Sequence, residues 1–109
     1  MANTFKLKTK ANVGVTTVGI YTAPAATTTV VIGITLANTS GSGVNVGVGI
    51  TRAGTTEDVK LLKNAPIPQG SSLEFMGGNK VVLETTDTLT VDSDTNNSVD
   101  ASLRIMEIT

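Results

Sequence analysis

The 109-residue sequence contains no cysteine, no histidine and no tryptophan, and its aromatic residues are one tyrosine and two phenylalanines. Without cysteine and histidine there can be no disulfide framework, no zinc-thiolate site, no thiol nucleophile and no Ser-His-Asp triad. Three aromatic side chains are too few for a platform that stacks single-stranded nucleic acid. The composition therefore argues against an enzyme, and we expect no catalytic residue, no cofactor and no direct nucleic-acid partner.

Long apolar segments are also missing. The most apolar run, residues 30–37, is too short to cross a bilayer and is interrupted by Gly33 and Thr35. The first ten residues have neither the apolar segment nor the cleavage site of a secretory signal. We therefore expect a protein made in a reducing cytoplasm, with no membrane partner.

Residues that favour β-structure dominate what is present. Valine, isoleucine and threonine make up 39 of the 109 residues, and such β-branched side chains suit a pleated, half-buried surface. Clusters of turn-forming residues recur at about eight to twelve residues, a spacing typical of sandwiches and barrels. The sequence predicts an all-β fold, a single antiparallel β-sandwich of jelly-roll or immunoglobulin-like topology with eight or nine short strands.

Within this fold we expect residues 1–12 to form an N-terminal strand or arm and residues 13–109 to form the single sandwich domain. The strongest strand signal, residues 27–38, predicts a central strand covered on both sides that forms a hairpin with the strand at residues 44–51. The predicted core consists of Val30, Ile32, Ile34, Leu36, Val46, Val48, Leu73, Leu83, Leu89, Leu103 and Ile105.

The N-terminal arm is the first candidate interface. Phe5 and Leu7 alternate there with Lys6, Lys8 and Lys10, so one side of a strand is apolar and the other is basic. Phe5 and Leu7 are expected to be buried, in the sandwich or against a neighbouring chain. The lysines are expected to contact anions or water. We expect this arm to lie at a contact with another protein.

Two other features predict contacts. Gly47 and Gly49 alternate within a strand, which weakens it unless another backbone, of this chain or of a second copy, approaches closely. Met106 and Ile108 break the alternation of the last strand, which predicts a bulge or a tail that leaves the sheet.

Charge is divided unevenly along the chain. Residues 1–56 contain four basic residues and no acid, whereas residues 57–109 carry a net charge of −5. The two halves pair within one fold, or the basic arm of one copy lies on an acidic face of the next. Asp92, Asp94 and Asn96 follow the spacing of a Ca²⁺ loop, but the glycine and closing glutamate of that loop are missing, so a turn is favoured and no metal site is predicted.

Five segments in this order are similar to those of small all-β virion structural proteins of tailed bacteriophages, of the decoration, neck or tail type. These segments are Tyr21–Ala25, Val31–Thr39, Leu62–Leu73, Lys80–Leu89 and Val99–Ile108. The resemblance implies a virion component present in many copies and made in the cytoplasm of a bacterial host. It defines no functional residues.

The favoured function is a capsid decoration (cement) protein that stabilises the shell by non-covalent binding to the major capsid protein and to other copies of itself, with a trimer as one arrangement. A neck, tail or fibre-associated subunit of the virion is the alternative. A carbohydrate-binding or adhesion module is a second alternative. It would call for exposed aromatic residues, whereas Tyr21, Phe5 and Phe75 are predicted to be core residues.

Overall fold

Nine strands form the fold in a computed structural model that describes residues 3–52, 57–75 and 80–109. The strands are β1 (Asn3–Val13), β2 (Val18–Thr22), β3 (Thr28–Asn38), β4 (Val44–Thr51), β5 (Asp58–Ile67), β6 (Ser72–Phe75), β7 (Val81–Leu83), β8 (Thr88–Ser93) and β9 (Val99–Ile108). Across these ranges no helix is long and apolar enough to cross a membrane.

The strands belong to two antiparallel sheets that face each other across the core. The five-stranded sheet has the order β1-β9-β3-β6, with β7 also paired to β3, and the four-stranded sheet has the order β2-β8-β4-β5. Among the described strands, β4 and β5 are the only consecutive pair that hydrogen-bond to each other. Every other connection changes sheet or joins two strands of one sheet that are not neighbours. The predicted β-sandwich is confirmed, and this strand order is that of a jelly roll.

The predicted hairpin between β3 and β4 is wrong, because β3 belongs to the five-stranded sheet and β4 to the four-stranded sheet. The loop after Asn38 therefore connects the two sheets. Two strands with apolar inner faces satisfy the same alternation whether they lie side by side or face each other. The Asn38 side-chain amide is buried and donates hydrogen bonds to the carbonyl oxygens of Ser42 and Ile67, at 2.8 and 2.9 Å.

Most of the predicted core is confirmed. The side chains that are buried as expected are Ile34, Leu36, Val46, Val48, Leu83, Leu89, Leu103 and Ile105. Tyr21 is buried as well, at 7% exposure, whereas the side chain of Phe75 lies outside what the structure describes. Leu73 is only half-buried, because β6 lies at the edge of its sheet and pairs with β3 alone among the described strands.

A β-bulge in β3 overturns the predicted burial of Val30 and Ile32. The register passes from Val31 opposite Ile105 to Gly33 opposite Arg104, so Ile32 is an extra residue without a partner. An extra residue moves every later side chain of the strand to the other face. Val31 and Ile34 therefore both point into the core, Val30 is half-buried on the outer face, and Ile32 is 37% exposed. The strand is central, but among the residues that the structure describes no second sheet covers its outer face.

The last strand does not leave the sheet. β9 pairs with β1 and β3 as far as Ile108 and keeps strict alternation to its end. In the sequence, Met106 and Ile108 break the alternation of apolar and polar residues. In the structure, inward and outward side chains still alternate there, because Glu107 points inward. The predicted bulge or departing tail is therefore wrong, and Met106 and Ile108 lie on the outer face.

Alanine substitutions on the two sides of the bulge should differ in cost. Ile34→Ala removes a fully buried side chain and should lower the free energy of unfolding by about 2–5 kcal/mol. Ile32→Ala changes the unpaired residue and should cost about 1 kcal/mol or less in the single chain. Urea unfolding of both variants measures the difference, and equal losses would contradict the bulge.

Candidate interaction surface

The N-terminal arm is an edge strand of the sandwich. β1 pairs with β9 from Asn3 opposite Ile108 to Lys10 opposite Ala101, and the register then shifts before Val13 pairs with Val99. The left-handed backbone of Asn12, with φ at 58°, lies in this irregular step. Residues 12 and 13 thus lie at an irregular step of a strand that is continuous with the sheet, and the division into an arm and a sandwich domain stays a prediction.

Phe5 and Leu7 point away from the sandwich. They are 72% and 65% exposed, so the prediction that Phe5 is a core residue is wrong. Alternation separates the side chains of β1 into two sets but does not say which set faces inward. The inward set is the basic one, Lys6, Lys8 and Lys10, which lie opposite inward residues of β9. We call these three lysines the basic strip.

A buried carboxylate accounts for this orientation. Lys6 Nζ lies 2.9 Å from Oε1 of Glu107, and the Tyr21 hydroxyl donates a hydrogen bond of 2.6 Å to Oε2. With that proton directed at Glu107, the Thr29 hydroxyl donates to the Tyr21 oxygen at 2.8 Å. Glu107 is 6% exposed, and a carboxylate this deeply buried needs such partners. The cluster joins β1, β3 and β9 of one sheet to β2 of the other.

The same contacts shift two pKa values in opposite directions. Hydrogen bonds from Tyr21 and Lys6 hold the pKa of Glu107 below its ordinary value of 4.5. Burial, together with the hydrogen bond to Glu107, raises the pKa of Tyr21 to about 12. The folded protein therefore favours an ionised Glu107 and a neutral Tyr21.

Part of the uneven charge distribution is neutralised within the fold. Lys6 pairs with Glu107, and Arg52 pairs with Asp87 at 3.1 Å and also with Glu84. Lys8 and Lys10 take part in no ion pair with any residue the structure describes. The basic strip thus keeps two cations for water or for another molecule.

Gly47 and Gly49 lie in β4, between β5 and β8. A Cβ atom on Gly47 would lie 2.6 Å from Asp92 Oδ1, and one on Gly49 would lie 2.9 Å from the carbonyl oxygen of Val59. The close approach that these glycines imply thus comes from the same chain. A role for them in a contact with another copy stays a prediction.

The outer face of the five-stranded sheet has an apolar row that sequence analysis missed in part. Phe5 lies opposite Met106, Met106 opposite Val30, and Val30 opposite Val82. We call these four residues, one from each of β1, β9, β3 and β7, the outer row. Val82 is 56% exposed. Val30 and Val82 could not be assigned to this surface without the strand order, because no local pattern marks them.

The predicted interface residues therefore fall into three places. Phe5, Leu7, Met106 and Ile108 come together on the outer face, at or beside the outer row. The basic strip lies on the other side of β1, and the two glycines lie inside the four-stranded sheet. The outer face holds most of the apolar candidates.

The carboxylates of the acidic segment accept hydrogen bonds from distant parts of the chain. Asp92 accepts a hydrogen bond from the Thr17 hydroxyl at 3.0 Å, and Asp94 accepts one from the Asn45 backbone at 3.1 Å. These bonds join β8 and the turn after it to the β1–β2 connection and to β4. In the part of the chain that the structure describes, no three acidic, histidine or cysteine side chains are grouped to hold a metal ion.

No family model matches the chain, and no curated protein matches it by sequence. Solved structures do resemble it in fold. A chain from Bacillus endospore appendages, described as disulfide-linked pili, is 16% identical, with a TM-score of 0.57 over 99% of this chain and 87% of that one. These 109 residues contain no cysteine and so cannot supply such a disulfide.

A chain from the IBDV viral particle is 14% identical, with a TM-score of 0.60 over 96% of this chain. The match covers 30% of that longer protein. At these identities the comparisons show a shared fold.

The Glu107 cluster should make stability depend on pH at both extremes. Because its folded pKa is lowered, Glu107 contributes stability that is present above pH 4.5 and is lost as pH falls through the folded pKa. Because its folded pKa is raised to about 12, Tyr21 contributes stability that is present below pH 10 and is lost as pH rises toward 12.

Two substitutions separate these contributions. Tyr21→Phe should lower the free energy of unfolding by about 1.5–3 kcal/mol near neutral pH and reduce the alkaline loss. Glu107→Gln should reduce the acid loss, and Tyr21 should then titrate closer to its ordinary pKa. Urea unfolding over a series of pH values measures both effects, and unchanged pH profiles in both variants would contradict the assignment.

Proposed function

We propose that this chain is a structural subunit of a virion, and specifically a capsid decoration protein of a tailed bacteriophage. In this role it stabilises the shell by non-covalent binding to the major capsid protein and to other copies of itself. The observation that supports the proposal best is the outward display of Phe5 and Leu7 on a strand held in place by β9 and by the Lys6–Glu107 ion pair.

Such a strand is a preorganised binding element. Its backbone is already paired along nearly its whole length, so little conformational entropy is lost when a partner covers it. Full burial of Phe5 and Leu7 contributes about 1.5–3 kcal/mol each. Contacts of Lys8 and Lys10 near the surface add about 0–1 kcal/mol each and weaken with salt. Apolar burial therefore dominates the binding energy of β1.

The structural likeness to a viral particle and to a pilus is in keeping with this role, because both are assemblies built from protein subunits. A neck, tail or fibre-associated subunit uses the same surface and differs in copy number. Quantitative mass spectrometry of purified virions separates the two. A copy number close to that of the major capsid protein supports decoration, and a far smaller number supports the neck or tail. Absence from purified virions would overturn the virion assignment.

Serine at both exposed apolar positions of β1 should weaken incorporation into particles. Phe5→Ser with Leu7→Ser leaves the core and the Glu107 cluster intact, so the variant should fold but bind its particle at least about tenfold more weakly. Val15→Ser is the control, because this valine, at 56% exposure, lies in the β1–β2 connection. Each purified variant is mixed with virions from which the wild-type protein has been removed, and the amount bound to the particles is measured. Equal incorporation of both variants would show that β1 is only a structural strand.

A further inference from the structure

We propose that a second copy of this chain docks on the outer row, so that two five-stranded sheets pack face to face about a two-fold axis. This inference rests on the proposed structural function and adds to it a partner and a surface. It draws on residues of four strands that are far apart in the sequence.

The row is a continuous apolar strip across the sheet. Its four residues are linked by register from β1 through β9 and β3 to β7, a width of about 14 Å at the usual strand spacing. Six large apolar side chains of the described chain are exposed, and four of them, Phe5, Leu7, Ile32 and Val82, lie in or beside the row. Exposed apolar residues gathered in this way mark a contact surface, whereas single scattered ones do not.

The outer row itself carries no charge, because its four residues contain no ionisable group. Arg104 lies beside the row on the outer face of β9, and its guanidinium covers Gly33, where a Cβ would be 2.7 Å from the Nη2 atom. Arg104 also donates a hydrogen bond of 3.2 Å to the Thr35 hydroxyl. Two copies can therefore meet along the row without burying a charge, provided that the contact leaves the Arg104 guanidinium open to water.

The size of the face is at the lower end of what a stable dimer needs. β1, β9 and β3 are 10 or 11 residues long, and together with the short strands β6 and β7 they span roughly 600 Å² at usual spacings. A standard interface buries about 800 Å² on each partner. Two twisted sheets pack in this aligned manner at about −30°, as they do inside a sandwich. A second copy therefore covers β3 on the side that its own chain leaves open.

Pairing through the free edge of β1 is the competing arrangement, and the basic strip disfavours it. Antiparallel pairing of two β1 strands would place the lysines of both copies on one face of the merged sheet. Like charges directly opposite each other destabilise such a pair. Packing through the outer row instead keeps the two basic strips on opposite sides of the assembly.

The test uses two valines of equal exposure, Val82 in the outer row and Val15 in the β1–β2 connection, both 56% exposed. Sedimentation velocity of the full chain over a concentration series gives the dimer dissociation constant. Val82→Thr places a hydroxyl in the apolar contact twice per dimer and should raise that constant about tenfold or more. Val15→Thr should leave it unchanged. Circular dichroism spectra of the variants serve as the folding control.

Three results would overturn the inference: a wild-type chain that stays monomeric to about 1 mM, a dimer weakened equally or not at all by the two substitutions, and a trimer. A trimer needs a contact between two different surfaces of the chain. A monomer found in virions would overturn this inference and leave the proposed function standing. If Val82→Thr blocks incorporation of a monomeric chain, another virion protein covers the row. A dimer that is absent from virions would support this inference and overturn only the proposed function.

Discussion

The buried carboxylate of Glu107 is the constraint on which the exposed surface depends. It accepts a hydrogen bond from the Tyr21 hydroxyl and forms an ion pair with Lys6, and it thereby joins β9 of one sheet to β2 of the other. Since side chains of a strand alternate between faces, the inward position of Lys6 forces Phe5 and Leu7 outward. A glutamate among the otherwise apolar inward residues of β9 thus sets which side of β1 is exposed.

The bulge at Ile32 acts in the same way on β3. Without it, Val30 and Ile34 would lie on one face, and either the outer row or the core would lose a residue. With it, the first half of β3 places Val30 beside Met106 on the outer face, and the second half places Ile34 and Leu36 in the core. One unpaired residue therefore lets a single strand serve both surfaces.

The class of fold was predictable from composition, and the faces of most strands were predictable from alternation. β8 and β9 show this best, because their buried residues follow period two without interruption. Pro66 lies in the edge strand β5 just before the chain crosses to the other sheet, a place that suits a residue without a backbone donor. The sequence could not predict the bulge, because an extra residue shows only against a partner strand.

The candidate surface was predictable in part for a related reason. Phe5 and Leu7 carry a visible pattern, and Met106 stands out against its own strand. Val30 and Val82 join them only through the order β1-β9-β3-β7, which depends on pairing between distant parts of the chain. The orientation of β1 was misread because a lysine is ordinarily assigned to solvent, and its buried partner lies 101 residues away.

The position of β9 between β1 and β3 affects how the molecule is made. Among the described strands of its sheet β1 pairs with β9 alone, so residues 3–13 must wait for residues 99–108, which are synthesised later. Pairing of such distant segments slows folding, because most of the chain must be ordered before the contact can form. During that time β1 presents an open edge and two bare apolar side chains. Lysines on an edge strand disfavour pairing with the edge of another chain, and β1 carries three of them.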